Sequence, residues 1–137
     1  MTRAVAVTLK IPDNTAYTAA VALRRLGLGV ERVERSEIWF FDDGFDPQTL
    51  LARVRADERI FNPNKHRAEL VDAGAPRSGE LWIEEIEPAE GEPRDRGRVR
   101  RTGWRLYGPH GVALDRGGLR SAAERLLCNP AIERALF

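Results

Sequence analysis

The sequence predicts an α+β fold in which an antiparallel sheet has helices packed on one of its faces. Three observations lead to this prediction. Apolar residues alternate over residues 4–11, apolar residues recur at helical spacing over residues 16–26, and strand-like stretches follow one another without an intervening helix after residue 79. The expected order is β-α-β-α-β, followed by β-β-β-α and a short tail.

The chain begins with a predicted strand and helix. Val5, Val7 and Leu9 fall on one side of an extended chain that Pro12 ends. A helix follows, capped by a residue within 13–15 and ended by Gly27. Its apolar stripe consists of Ala16, Ala19, Ala20, Leu23 and Leu26.

Residues 30–42 predict a long strand with apolar side chains on both faces near its end. Asp46-Pro47 is a typical helix start, because Asp accepts a hydrogen bond from the first turn and Pro has no N–H to leave unpaired there. This second helix ends before Asn62-Pro63, since Pro disfavours helical geometry in the residue before it. Residues 66–71 then predict a short third strand.

The turn-rich residues 73–79 are predicted to link a first half, residues 1–72, to a second half, residues 80–137. The two halves are expected to pack on each other as one compact body.

The second half predicts a strand over 81–87, an exposed loop over 88–97, and two short strands within 99–115 around a turn at 108–111. A final helix has one apolar face and ends at Pro130. That face consists of Leu119, Ala122, Ala123, Leu126 and Leu127.

The overall charge is nearly balanced, with 22 basic and 21 acidic side chains and a formal net charge of +1. This balance argues against a general attraction to nucleic acid or to a membrane. The single cysteine, Cys128, cannot form an internal disulfide. Because the sequence has no basic and apolar leader and no long apolar stretch, a cytoplasmic location is expected.

Few side chains suggest chemistry. His66, His110 and Cys128 do not have the spacing of metal ligands, so neither a metal nor a cofactor is expected. Cys128 is predicted to be a small buried thiol, because no neighbouring base is visible in the sequence. His110 lies between glycines and Pro109, which favour a tight turn over a ligand loop. No catalytic residue is expected.

The second half also contains a charged stretch, with six acidic residues in 80–92 and six arginines in 94–105. The arginines could bind phosphate or stack on a base beside Trp104 and Tyr107. They could equally pair with the acidic residues across neighbouring strands, which the matching numbers favour. The arginines are Arg94, Arg96, Arg98, Arg100, Arg101 and Arg105.

Several stretches resemble PurS, the small subunit of phosphoribosylformylglycinamidine synthase. Val5–Lys10, Ala22–Gly27 and Val33–Arg35 resemble the opening of that family, and Glu124–Glu133 resembles its closing helix. The dipeptide Asn-Pro occurs in each half, as Asn62-Pro63 and as Asn129-Pro130. The resemblance implies two PurS-like units, the second without its first helix, in which these four residues end a helix before the last strand.

The resemblance further implies a non-catalytic accessory subunit in purine biosynthesis, which assembles the large synthetase subunit with the glutaminase subunit. PurS subunits pair through their sheets. We therefore expect a monomer with pseudo-twofold symmetry in which each half covers the apolar sheet face of the other, or else a homodimer.

Two other functions fit the sequence. The chain could be a diverged regulatory module that binds a small ligand between its halves through Arg98, Arg100 or His110. It could also bind nucleic acid weakly through the arginine cluster.

Overall fold

The computed structural model describes residues 2–86 and 98–137, with only the backbone described for Arg98 and Val99. The predicted loop over residues 88–97 lies outside the described residues. The strands are β1 (Arg3–Leu9), β2 (Arg32–Phe41), β3 (His66–Val71), β4 (Glu80–Glu85), β5 (Arg98–Tyr107) and β6 (Glu133–Leu136). The helices are α1 (Asn14–Arg25), α2 (Pro47–Ala56) and α3 (Arg116–Ala122), and a π-helical turn, Ala123–Leu127, continues α3.

Within the described residues, six strands form one antiparallel sheet in the order β3-β1-β2-β5-β4-β6. The first half supplies β3, β1 and β2, and the second half supplies β5, β4 and β6. The halves meet where β2 pairs with β5 over ten residues, from Arg32 opposite Tyr107 to Phe41 opposite Arg98. The predicted α+β class with an antiparallel sheet and helices on one face is confirmed.

The helices cover one face of the sheet, which we call the helix face. In the first half, Val5 and Val7 of β1 lie fully or almost fully buried against Leu50 and Val54 of α2. The expectation that the second half covers these residues is wrong. Since β1 and α2 belong to the same half, the first half covers Val5 and Val7 itself, and its sheet joins that of the second half edge to edge through the pairing of β2 with β5.

A second apolar cluster on the helix face belongs mainly to the second half. Leu81 and Leu106 from the sheet pack with Leu119 of α3 and with Leu23 of α1. Because α1 comes from the first half, this cluster adds side-chain packing to the strand pairing that joins the halves.

The opposite face, which we call the linker face, has a core of its own. Ala6, Ile38, Phe40 and Trp82 are buried there, and Ala73 of the linker packs against them. The Phe40 and Trp82 rings meet edge to face with centroids 5.4 Å apart, a favourable arrangement for two aromatic rings. The strands therefore have apolar side chains on both faces, as β2 predicts from sequence.

A buried carboxylate fastens the linker to this face. The Glu80 side chain is fully buried and accepts hydrogen bonds from the backbone N–H and guanidinium of Arg77 and from Trp82 Nε1 at 3.0 Å. Arg77 also forms an ion pair with Glu69 of β3. Burial opposes the charge on Arg77, but the hydrogen bond and charge of Glu80, with Glu69 and Glu34, raise its pKa. The linker is thus tied to both β3 and β4.

The region after β4 differs from its prediction. The first predicted strand is the long strand β5 (Arg98–Tyr107), the predicted turn is a short 3₁₀ turn at Pro109–Gly111, and the second predicted strand is reduced to a single bridge between Tyr107 and Ala113. β5 extends without interruption because β2 offers it a ten-residue partner.

No helix within residues 2–86 and 98–137 has the length and apolar character needed to cross a bilayer.

Gly103 provides a test of the linker face. A Cβ at this position would lie 2.9 Å from Glu80 Oε2 and 3.0 Å from Ile38 Cδ1. We expect Gly103→Ala to lower the free energy of unfolding by about 1–3 kcal/mol, because side chains in a packed core must shift to admit the methyl group. Urea unfolding followed by far-UV circular dichroism measures this.

Gly29→Ala is the matched control, because a Cβ at Gly29 would meet nothing within 4 Å. Equal stability of the Gly103→Ala variant and the wild-type protein would contradict the tight packing of Glu80 against β5.

Candidate functional site

The first Asn-Pro dipeptide builds a tight turn into β3. Asn62 Oδ1 accepts a hydrogen bond from the backbone N–H of Asn64 at 2.9 Å, and the Asn62 carbonyl accepts from Lys65 and His66. The backbone N–H of Asn62 donates to His66 Nδ1 at 2.9 Å. Four hydrogen bonds therefore fix this turn.

The second Asn-Pro dipeptide builds the same turn into β6. Asn129 Oδ1 accepts from the backbone N–H of Ala131 at 3.1 Å, and its carbonyl accepts from Ile132 and Glu133. The backbone N–H of Asn129 donates to Glu133 Oε1 at 2.9 Å. A carboxylate oxygen here takes the place of the imidazole nitrogen in the first turn.

The strands of the two halves correspond as well. The first strand of each half lies between the other two, β1 between β3 and β2 and β4 between β6 and β5. Counted inward from either edge, the sheet therefore has the third, first and second strand of a half in that order, and an Asn-Pro turn precedes each edge strand. A pseudo-twofold axis between β2 and β5 relates the halves.

The axis passes through the pair formed by Glu37 and Thr102. Counted from the two turns, Val7 of β1 and Ile83 of β4 occupy matching positions. Val7 pairs with Glu37, and Ile83 pairs with Thr102, so Glu37 and Thr102 correspond. These two residues also pair directly with each other. A pair of corresponding residues that face each other lies on the axis.

Two further pairs of corresponding residues flank this point on the helix face. Arg35 and Trp39 of β2 correspond to Arg100 and Trp104 of β5. The register places Arg35 opposite Trp104 and Trp39 opposite Arg100. Trp39 packs partly against the first apolar cluster and Trp104 partly against the second. A polar strip therefore runs along the paired strands β2 and β5, across the axis and between the two apolar clusters.

Acidic side chains hold both arginines of the strip. Arg35 Nε donates to Asp13 Oδ2 at 3.2 Å, while Asp13 Oδ1 accepts from the Ala16 N–H and caps α1. Arg100 Nη1 lies 3.5 Å from Glu37 Oε1. Trp39 Nε1 donates to the other oxygen of Glu37 at 3.2 Å.

A cavity of about 260 Å³ opens on the helix face beside the axis, and we call it the axial groove. It brings together charged and hydroxyl side chains of both halves over an apolar base. Its lining is Val7, Leu9, Asp13, Arg35, Ser36, Glu37, His66, Arg100 and Thr102.

The structure does not bring the predicted ligand residues together. Arg100 lines the axial groove, whereas His110 lies exposed in the turn beyond the far end of β5 with φ of 61°. At roughly 3.3 Å per strand residue, Arg100 and Tyr107 alone are about 23 Å apart. The side chain of Arg98 lies outside what the structure describes.

Each arginine of the charged stretch whose side chain is described lies near an acidic residue, but only Arg101 forms an ion pair with a described residue of the range 80–92. Arg101 Nε donates to Glu84 at 2.8 Å, and Arg105 Nη1 lies 3.7 Å from Glu34 on the linker face. Arg100 lies near Glu37, as above. These three arginines therefore do not form a continuous unpaired basic surface.

Arg35, Glu37 and Trp39 are not among the ligand-binding residues expected from the sequence. The signal available was a second short repeat, Arg-x-x-x-Trp, at residues 35–39 and 100–104. Because the repeat specifies only an Arg and a Trp, it is too short to be significant in the sequence alone. It becomes informative once β2 and β5 are seen to pair across the axis.

Cys128 is half-buried, and among the described residues no three His, Cys, Asp or Glu side chains are grouped so as to hold a metal ion. Burial and, to a smaller extent, the charge of Glu133 raise the pKa of the Cys128 thiol. Both effects disfavour the thiolate, which is the nucleophilic form.

The first turn can be tested by removing its side-chain acceptor. Asn62→Ala is expected to lower the free energy of unfolding by about 1 kcal/mol, because the N–H of Asn64 loses its hydrogen bond to the side chain. Asn64→Ala is the control in the same turn, since Asn64 contributes only its backbone. Equal effects of the two substitutions in urea unfolding would contradict the turn as described.

The thiol can be tested by alkylation. Cys128 in the folded protein should react with iodoacetamide more slowly at pH 8 than it does after unfolding in urea, because its raised pKa leaves less thiolate. Rates measured by mass spectrometry check this. A folded protein that reacts as fast as the unfolded chain would refute the raised pKa.

No family model matches the chain, and no curated protein matches it.

Proposed function

We propose that this chain is a non-catalytic, PurS-like accessory subunit, which assembles the synthetase and glutaminase subunits of phosphoribosylformylglycinamidine synthase in the cytoplasm. Its mechanism is contact, so that ammonia released from glutamine passes directly to the synthetase. The observation that carries the proposal is the pseudo-twofold sheet, in which one chain supplies both members of a symmetric pair.

The symmetry supports the proposal because the PurS resemblance implies small subunits that pair through their sheets. In this chain the pairing of β2 with β5 joins two three-stranded units. The Asn-Pro dipeptides that carry the resemblance also occupy equivalent places in the two units, each before an edge strand. A fused pair of PurS-like units would have this arrangement.

Exposed apolar side chains on the chain are candidate contacts for the two enzyme subunits. Tyr17 on the outer side of α1 is 68% exposed, and Ile132 in the second Asn-Pro turn is 58% exposed. Tyr is enriched at protein interfaces, and a partner that buries an exposed apolar side chain gains stability from that burial. They lie on α1 and on an Asn-Pro turn, two regions that also carry the resemblance to PurS.

Co-expression with the synthetase and glutaminase subunits of the same organism tests the proposal. We expect the chain to co-purify with them. We also expect its omission to lower amidine formation from glutamine while formation from added ammonium is retained, because only the first requires assembly. Failure of the chain to bind either enzyme would contradict the proposal.

Surface variants sharpen this test. Tyr17→Glu and Ile132→Glu should weaken co-purification, because each places a charge in an apolar contact. Val112→Glu is the matched control, since Val112 is 65% exposed but lies on neither α1 nor an Asn-Pro turn. Equal behaviour of all three variants would show that the enzymes bind elsewhere on the chain.

A further inference from the structure

We propose that the axial groove binds a free α-amino acid as its zwitterion. The proposal is carried by the meeting of two guanidinium groups and two carboxylates from both halves around one small cavity on the pseudo-twofold axis. It goes beyond the assembly role and stands independently of it.

The charges around the groove select a zwitterion over a simple anion. Arg35 and Arg100 contribute two positive charges, and Asp13 and Glu37 contribute two negative charges. His66 Nδ1 already accepts a hydrogen bond from the backbone N–H of Asn62 in the first turn. An anion would therefore meet carboxylates as well as arginines, whereas a ligand with one charge of each sign can match both.

Arg35 is suited to the carboxylate end of the ligand. Its Nε donates to Asp13, and its two terminal nitrogens have no partner among the described residues. Asp13 is itself fixed as the cap of α1, so the guanidinium is held in place before a ligand arrives. A guanidinium binds a carboxylate through two parallel hydrogen bonds, which its terminal nitrogens could supply here.

Glu37 and Thr102 are suited to the ammonium end. One oxygen of Glu37 is held by Trp39 Nε1, while the other has only the 3.5 Å contact with Arg100. The Thr102 hydroxyl, directly opposite, can accept a further hydrogen bond. Arg35 and Glu37 are two residues apart on one strand face, about 7 Å, so their side chains can reach opposite ends of one small molecule.

The size of the groove limits the ligand. Its 260 Å³ lies just below the range of roughly 300–1,000 Å³ typical of pockets for drug-sized ligands. Val7 and Leu9 give the groove an apolar patch that suits the ligand side chain. A single amino acid is of suitable size for a cavity of this volume.

Thermal unfolding in the presence of each proteinogenic L-amino acid at millimolar concentration tests the proposal, with isothermal titration calorimetry for those that raise the Tm. We expect at least one amino acid to bind, because a ligand that binds only the folded state stabilises it. Its carboxamide and its deaminated acid should each bind at least about tenfold more weakly, since each lacks one charge.

Variants of the groove locate the site. Glu37→Gln and Arg35→Gln should each weaken binding by about tenfold or more. Glu124→Gln and Arg116→Gln are the matched controls, since both residues are exposed and lie outside the groove. Circular dichroism of each variant confirms that it is folded.

Three results would overturn the proposal. They are the absence of binding by every amino acid, equal binding of the deaminated acid, which indicates a general anion site, and unchanged binding by the folded Glu37→Gln and Arg35→Gln variants. None of these measurements requires the synthetase or glutaminase, so their outcome is independent of the assembly test.

Discussion

The pairing of β2 with β5 is the interaction on which the rest of the structure depends. It is the seam between the halves, it sets the order of the strands, and it places the pseudo-twofold axis at Glu37 and Thr102. It also places α1 of the first half against the apolar cluster of the second. Without this seam, β2 and β5 would each expose an unpaired edge, which is a typical site of association with another chain. Because β2 and β5 pair within one chain, neither strand presents an unpaired edge to another chain.

The linker face shows how this continuous sheet constrains its residues. The Glu80 carboxylate needs Arg77 and Trp82 as hydrogen-bond donors and also needs the space above Gly103. Next to it, the Thr8 and Ser36 hydroxyls share a buried hydrogen bond of 2.6 Å. A buried charge is tolerated only when its hydrogen bonds are made, so this network restricts both the linker and the strands beneath it. The described side chains of the helix face near the axis are not held by such a buried network, and the axial groove opens there.

Local signals predicted the elements well, because they depend on neighbouring residues. Asp13 and Asp46 cap α1 and α2 as expected, and β3 has its predicted bounds, His66–Val71. The union of the halves was not predictable in this way, since the choice of a strand partner depends on residues far apart in sequence. The turn at residues 108–111 was predicted, but the length of β5 was not, because it is set by pairing with the distant strand β2. The axial groove was missed for the same reason, because its residues meet only across the seam.

The central claim is that β2 and β5 pair within one chain. Isotope-filtered NOE spectroscopy on a mixture of labelled and unlabelled protein tests it most directly, because it separates contacts within a chain from contacts between chains. Backbone NOEs that connect Glu37 with Thr102 and Ser36 with Gly103 should appear within single chains only. Their absence, or their appearance between labelled and unlabelled chains, would contradict the account.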